Sequence, residues 1–186
     1  NGIKYIKQDG SVGYYQTVNK TTPVAGDVKY VDRNGDGVVD DNDRDIIGNP
    51  NPDFTYGFQT KVSWKSLSLS ASFNGVQGRD ILNVGNRYNN TPGTKSNNVT
   101  RKAFQNMWTD ENPSNLYPKS TFVVQNMVMD RYVEDGSYLR CSDITLSYVL
   151  PAKWTNKIGI KNTSVYASVK NAFVITDYSG YDPEVN

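Results

Sequence analysis

Four stretches of this chain alternate apolar and polar residues so strictly that an extended backbone is the only regular structure able to sort them. From Phe54 to Trp64 one parity carries Phe54, Tyr56, Phe58, Thr60, Val62 and Trp64, and the other carries Thr55, Gly57, Gln59, Lys61 and Ser63. Successive strand side chains point to opposite faces, so one face is greasy and the other hydrophilic. After a turn at Lys65-Ser66, Leu67, Leu69, Ala71 and Phe73 alternate with Ser68, Ser70, Ser72 and Asn74. Beyond Tyr138, Ser142, Ile144, Leu146, Tyr148 and Leu150 face away from Asp143, Thr145, Ser147 and Val149 until Pro151 stops the run. A fourth stretch sets Val165, Ala167, Val169 and Phe173 against Tyr166, Ser168 and Lys170. The pattern predicts an all-β antiparallel unit with strands at about 54–64, 67–77, 138–150 and 163–175.

Such strands suit two architectures. In an outer-membrane barrel, strands of about 9–11 residues cross the bilayer, with the apolar parity on lipid and the polar parity on the lumen. If the tight turn at Lys65-Ser66 is periplasmic, the long segment 78–137 emerges outside and the shorter connector after Pro151 lies inside. Trp64 and Trp154 then fall near the inner interface, while Tyr56, Phe73, Tyr138 and Phe173 lie toward the outer one as a second aromatic girdle. The alternative is a secreted, calcium-stabilised β-sandwich that binds carbohydrate or acts as an adhesin, with its apolar faces buried against each other. Alternation leaves both open.

Composition removes other classes. The 20 Lys+Arg and 19 Asp+Glu nearly cancel, so no electrostatic footprint for nucleic acid exists. Histidine is absent and Cys141 is the single cysteine, which excludes zinc sites, Ser-His-Asp triads and disulfide frameworks within this chain. No apolar run reaches the length of about 18 residues that a membrane helix needs. If the chain belongs to an exported protein, the expectation is that more of it lies upstream of Asn1. Near that end, Ile3 to Ile6 and Val12 to Val18 flank Asp9-Gly10 as a hairpin, and a helix is expected from about Asn97 to Met107.

Ahead of the first strand lies the acidic segment Val31 to Asn49. Asp32, Asn34, Asp36, Val38, Asp40 and Asp43 occupy positions 1, 3, 5, 7, 9 and 12 of a calcium loop, with Gly37 at position 6. These offer five side-chain oxygens and one carbonyl to a hard cation, so calcium in a structural role is the expected cofactor. The run Gly26 to Val31 reads as extended rather than as an amphipathic helix, so a sensor hand is not expected. Asx-rich surface turns use the same residues without any metal. The clustered carboxylates Asp40, Asp41, Asp43 and Asp45 could in principle supply the acid and base of a glycosidase, but the same residues fit a metal loop and nothing in the sequence supplies the setting that raises a catalytic acid. No enzyme activity is expected.

Several longer motifs carry a resemblance. Gly26-Asp27-Val28-Lys29-Tyr30-Val31-Asp32-Arg33-Asn34-Gly35-Asp36-Gly37, then Ile47-Gly48-Asn49-Pro50-Asn51-Pro52, begin the series. Gly75-Val76-Gln77-Gly78, Trp108-Thr109, Val133-Glu134-Asp135-Gly136-Ser137-Tyr138-Leu139-Arg140, Lys170-Asn171-Ala172-Phe173 and Tyr178-Ser179-Gly180-Tyr181-Asp182-Pro183-Glu184 continue it. In this order they resemble the C-terminal region of SusC/RagA-type TonB-dependent transporters. The resemblance implies a large antiparallel transmembrane barrel of about 22 strands with a plug. It further implies a bacterial outer-membrane location, with extracellular loops and lipid around the wall. Implied partners are a SusD-like surface lipoprotein, the TonB complex through parts missing here, and an oligosaccharide or peptide substrate. Residues 1–53 would then form an extracellular loop region containing the calcium-type loop 32–43, and 54–186 the barrel segment with its long extracellular loop 78–137.

Overall fold

The computed structural model of the chain describes residues 4–6, 12–14, 23–91, 98–120, 128–160 and 162–184. Two short strands, β1 (Lys4–Ile6) and β2 (Val12–Tyr14), pair antiparallel as the expected hairpin, whose Asp9-Gly10 turn lies outside the described residues. Four long strands follow, β3 (Phe54–Trp64), β4 (Leu67–Gln77), β7 (Tyr138–Val149) and β8 (Ser164–Thr176), in one antiparallel sheet of order β3-β4-β7-β8. Their ends fall within one residue of the alternating stretches. Lys65 takes the left-handed backbone (φ 54°) that a two-residue turn requires, so β3 and β4 pair without slip from Trp64↔Leu67 to Phe54↔Gln77.

Register then stacks the apolar parities in rows across the sheet. Leu69, Leu146 and Ala167 share one row, and Ala71, Ile144 and Val169 the next. Leu69 is 47% exposed, Leu146 45% and Val169 58%. The long strands pair with one another in a single sheet, and among the described residues no second sheet packs on its apolar face, so the sandwich finds no support. The opposite face is hydroxylated: Ser63 and Ser68 share a 2.8 Å bond, and the Thr145 hydroxyl donates to Asp143 at 2.8 Å.

Alternation fails at one place, and the cause is a bulge. Ser72 pairs with Asp143 but Phe73 pairs with Cys141, so Ser142 is an extra residue in β7. Across β7 and β8 the register shifts again where Asn171 takes φ 50°. One inserted residue exchanges the two faces. Cys141, not the expected Ser142, therefore continues the apolar row, fully buried in register between Phe73 and Phe173, whose ring centroids lie 6.4 Å apart. Phe58 extends that row by stacking on Phe73 at 4.6 Å. Tyr138, expected in an exposed girdle, is instead 6% exposed beside the Arg140 guanidinium.

The segment 78–137 is not one loop. Its ends form a short ladder of β5 (Asp80–Leu82) with β6 (Val133–Asp135), and its interior holds two helices: α1 (Val84–Asn90), which was not expected, and α2 (Arg101–Asn106), shorter than the helix expected from about Asn97 to Met107 and within its bounds. A third short helix, α3 (Ala152–Thr155), sits in the β7–β8 connector and carries Trp154. Contacts divide the chain into two units: residues 1–47 with 83–132, and 48–82 with 133–186. The acidic segment falls in the first unit up to residue 47 and in the second from residue 48.

Gly75 shows how close the rows are. The Tyr56 hydroxyl crosses above it toward the Tyr138 carbonyl at 3.4 Å, and a Cβ at Gly75 would lie 2.6 Å from that carbonyl. Gly75→Val is expected to lower the unfolding free energy of the full-length protein by about 1–3 kcal/mol, read by urea unfolding in detergent micelles.

Candidate functional site

Short Asx residues at alternate positions bend the acidic segment by capping its own backbone. Asp32 accepts from the N–H groups of Gly35 at 2.7 Å and Gly37 at 2.8 Å, and Asn34 Oδ1 accepts from the Asp36 N–H at 2.9 Å. Asp36 Oδ1 accepts from Val38 N–H at 2.8 Å, and Asp40 Oδ1 accepts from Asn42 N–H at 2.8 Å. Gly35 (φ 74°) and Gly37 (φ 85°) supply the left-handed turns this winding needs. Asp43 closes the loop on its beginning, accepting from Arg33 at 2.8 Å and, through its other oxygen, from Asp40 at 2.8 Å. All six expected ligand residues thus lie in one capped loop, with Val38 contributing only its backbone. Among the described residues, however, no group of three or more Asp, Glu, Cys or His side chains converges closely enough to hold a metal ion.

A second constellation, which sequence reasoning did not single out, gathers within the sheet unit at its Tyr138–Thr176 end. Two of the longer motifs bind each other there. Glu134 accepts from the Ser179 N–H at 2.8 Å and its hydroxyl at 2.9 Å, and the Thr176 hydroxyl donates to the Ser137 carbonyl at 2.8 Å. Arg140, its side chain 11% exposed, meets Asp182 at 2.6 Å and Glu184 at 2.9 Å, while Arg79 donates to the Pro183 carbonyl. This clasp folds residues 177–184 back on the start of β7. The recurrence of Glu, Arg, Asp and Glu across the two motifs was the available signal, but their pairing is set by register rather than by spacing.

Comparison with known proteins was made against this geometry. No family model matches the chain. TonB-dependent receptor P26 of Formosa agariphila is 34% identical over 166 residues, which is 87% of this chain and 16% of that protein. TonB-dependent receptor SusC of Bacteroides thetaiotaomicron is also 34% identical, over 163 residues, covering 84% of this chain and 15% of that protein. The RagAB peptide importer in its closed-closed state matches with a TM-score of 0.69 at 30% identity, over 84% of this chain and 18% of that one. The chain belongs to the SusC/RagA-type TonB-dependent transporters. It spans about a sixth of the length of the curated relatives it matches, and its fold is consistent with a C-terminal segment of their antiparallel barrel.

Within a SusC/RagA-type chain the loop aromatics sort themselves by contact. Tyr132 is buried and shares a 2.8 Å bond with Thr91; Trp108 covers Gly26, and Tyr178 lies against Gly180. These aromatics pack inside their loops, whereas Tyr88 remains 46% exposed. The acidic cluster does not resemble a glycosidase pair. Asp41 is paired with Arg44 at 2.8 Å and Asp45 with Arg33 at 2.5 Å. Partial burial pushes Asp43 up, but the N–H groups of Asp40, Arg33 and Asn34 together outweigh it and hold its carboxyl below the usual range, the wrong direction for a general acid.

The clasp carries a pH prediction. The Glu184 N–H lowers the Asp182 pKa; burial opposes this, and the Arg140 hydrogen bond and charge add to the lowering. A depressed folded pKa contributes order that is complete above the unfolded value of about 3.9 and is lost as pH falls through the lower folded value. Pepsin cleavage beside Tyr178 and Tyr181 of the full-length protein, normalised to a free peptide of the same residues, should rise several-fold between about pH 5 and about pH 2. In Asp182→Asn it should be fast already at the higher pH and rise far less.

Proposed function

We propose that this chain is the wall-and-rim segment of an outer-membrane importer that takes up glycans or peptides with a SusD-like surface lipoprotein. Energy would come from the TonB complex acting through other parts of the whole protein. The observation that carries the reading is a sheet whose apolar face is exposed and whose opposite face is lined by Ser, Thr, Gln and Lys. Hydrocarbon satisfies the first face and an aqueous passage the second. Lys61 and Lys170, on the polar parity, belong to that passage. The loops beyond the Gly75 end of the sheet form the rim, facing substrate and lipoprotein, and the clasp stiffens that rim. Family relatives are named receptors and transporters, and no enzymatic role is assigned to the segment. Uptake of labelled oligosaccharides and oligopeptides by cells carrying the full-length protein should fall to background for at least one pool when the protein is deleted. The same loss is expected when the proton gradient that powers TonB is collapsed. Uptake unchanged in both cases contradicts an importer.

Calcium enters the same reading as a structural ion of the rim. Asp32, Asn34, Asp36, the Val38 carbonyl, Asp40 and Asp43 would hold it, and hard oxygen donors suit calcium. Support comes from the winding: the Asx side chains already gather in one short loop, and the Asp32, Asp36 and Asp40 oxygens that each accept a single backbone N–H keep a further lone pair for a cation. Its role would be to rigidify, with no chemistry assigned. Titrating calcium into the full-length protein should give saturable binding below about 1 mM that Asp32→Ala and Asp36→Ala abolish. Heat that does not saturate at that concentration contradicts the site.

A further inference from the structure

Asn86 and Asn90 of α1, Lys102 of α2, and Tyr117, Arg131 and Tyr132 line a cleft of about 420 Å³ that opens to solvent. Its lining holds two cations and no carboxylate, in a chain whose charges otherwise balance. The adjacent acid, Asp130, already accepts the Arg131 N–H at 2.7 Å. Arg131 is fixed rather than free to swing: its Nη2 donates to the Leu116 carbonyl at 2.7 Å, and the guanidinium lies 5.5 Å from the Tyr132 ring centroid. The amide wall opposite is also set, since Asn90 donates to Asn86 Oδ1 and accepts from the Thr100 hydroxyl. Lys102 makes no ion pair among the described residues.

A pre-positioned guanidinium and an ammonium without an ion pair among the described residues, together around a small open cleft, match one functional group. We infer that the cleft is a subsite for a carboxylate carried by the imported molecule, which rests on the importer reading and narrows its cargo to molecules with a free carboxylate. Arg131 uses one of its five N–H groups internally and offers the rest to the carboxylate oxygens; Lys102 supplies a second charge from the open side. Tyr117 gives the flat apolar surface against which a peptide side chain or sugar ring rests, while the buried Tyr132 backs the Arg131 guanidinium. The carboxylate has two sources, the terminus of a peptide or an acidic sugar, and the cleft chemistry serves either.

The test is calorimetry on the purified full-length transporter at low salt with four probes: trigalacturonate, its methyl ester, tetraalanine with a free C-terminus, and its C-terminal amide. One acidic probe should bind about tenfold or more tighter than its neutral partner, with the advantage shrinking as salt rises. Lys102→Gln should remove most of that advantage and leave the neutral partner unchanged; Arg131→Gln should remove the rest. Because Arg131 also anchors the Leu116 carbonyl, Lys102→Gln carries the decision. Whichever acidic probe responds names the source. Equal affinity for acidic and neutral partners, acidic binding indifferent to Lys102→Gln, or no binding by any probe overturns the subsite. None of these touches the importer reading, which falls only if uptake survives deletion and loss of the proton gradient.

Discussion

Everything in the sheet unit depends on where the backbone hydrogen bonds of its outer strands go. In the order β3-β4-β7-β8, β3 and β8 each pair on one side only among the described residues. An N–H or carbonyl left unpaired in hydrocarbon costs several kcal/mol, so an open four-stranded sheet does not persist in a bilayer. The two edges must continue into further strands of a closed barrel. That demand explains an oddity of the sheet taken alone, in which Val62, Leu69, Leu146, Val165 and Val169 stand exposed with nothing packed upon them. For a soluble domain such a face would be a liability. For one staff of a barrel wall it is the surface that lipid covers.

The wall changes character along its length. From the Leu67 row, flanked by Trp64 and Tyr148, through the Leu69 and Ala71 rows the alternation is regular and largely aliphatic, and it reads as membrane wall. At the bulge the side chains thicken into Phe58, Phe73 and Phe173 around the small Cys141. Beyond it Arg140, Asp182, Glu184, Glu134 and Ser179 take over, a polar clasp that hydrocarbon could not accommodate. The bulge is thus where the ladder stops serving the bilayer and starts organising the loops. It lets β7 present Arg140 to the returning segment 177–184 while Cys141 still fills the aromatic row.

Strand position was legible in the sequence because burial against lipid and water imposes a strict period of two. The bulge was not, since counting parity cannot register one inserted residue; it assigned Ser142 and Tyr138 to the wrong surroundings. Asn171, an Asn with a left-handed backbone in mid-strand, was the local hint. Helix α2 was foreseen within a longer span, whereas α1 has only 7 residues, too short for its periodicity to stand out among Asn and Gly. In the acidic segment the turn chemistry was readable from alternate Asx residues, whereas which groups the carboxylates address, N–H or ion, depends on rotamers that spacing does not fix. The clasp and the cationic cleft join residues about 30 to 100 apart in sequence, a proximity created by the ladders.

The central claim is that one side of each ribbon faces hydrocarbon and the other water. It is tested most directly by spin labels placed singly at consecutive positions from Leu67 to Phe73 and from Ile144 to Tyr148 in the full-length protein reconstituted in bilayers, with Cys141 replaced. Collision with oxygen should peak at Leu67, Leu69, Ala71, Ile144, Leu146 and Tyr148, and collision with a water-soluble nickel chelate at Ser68, Ser70, Thr145 and Ser147. Labels that show no alternation, or that are shielded from both reagents on the apolar parity, would contradict a lipid-facing wall.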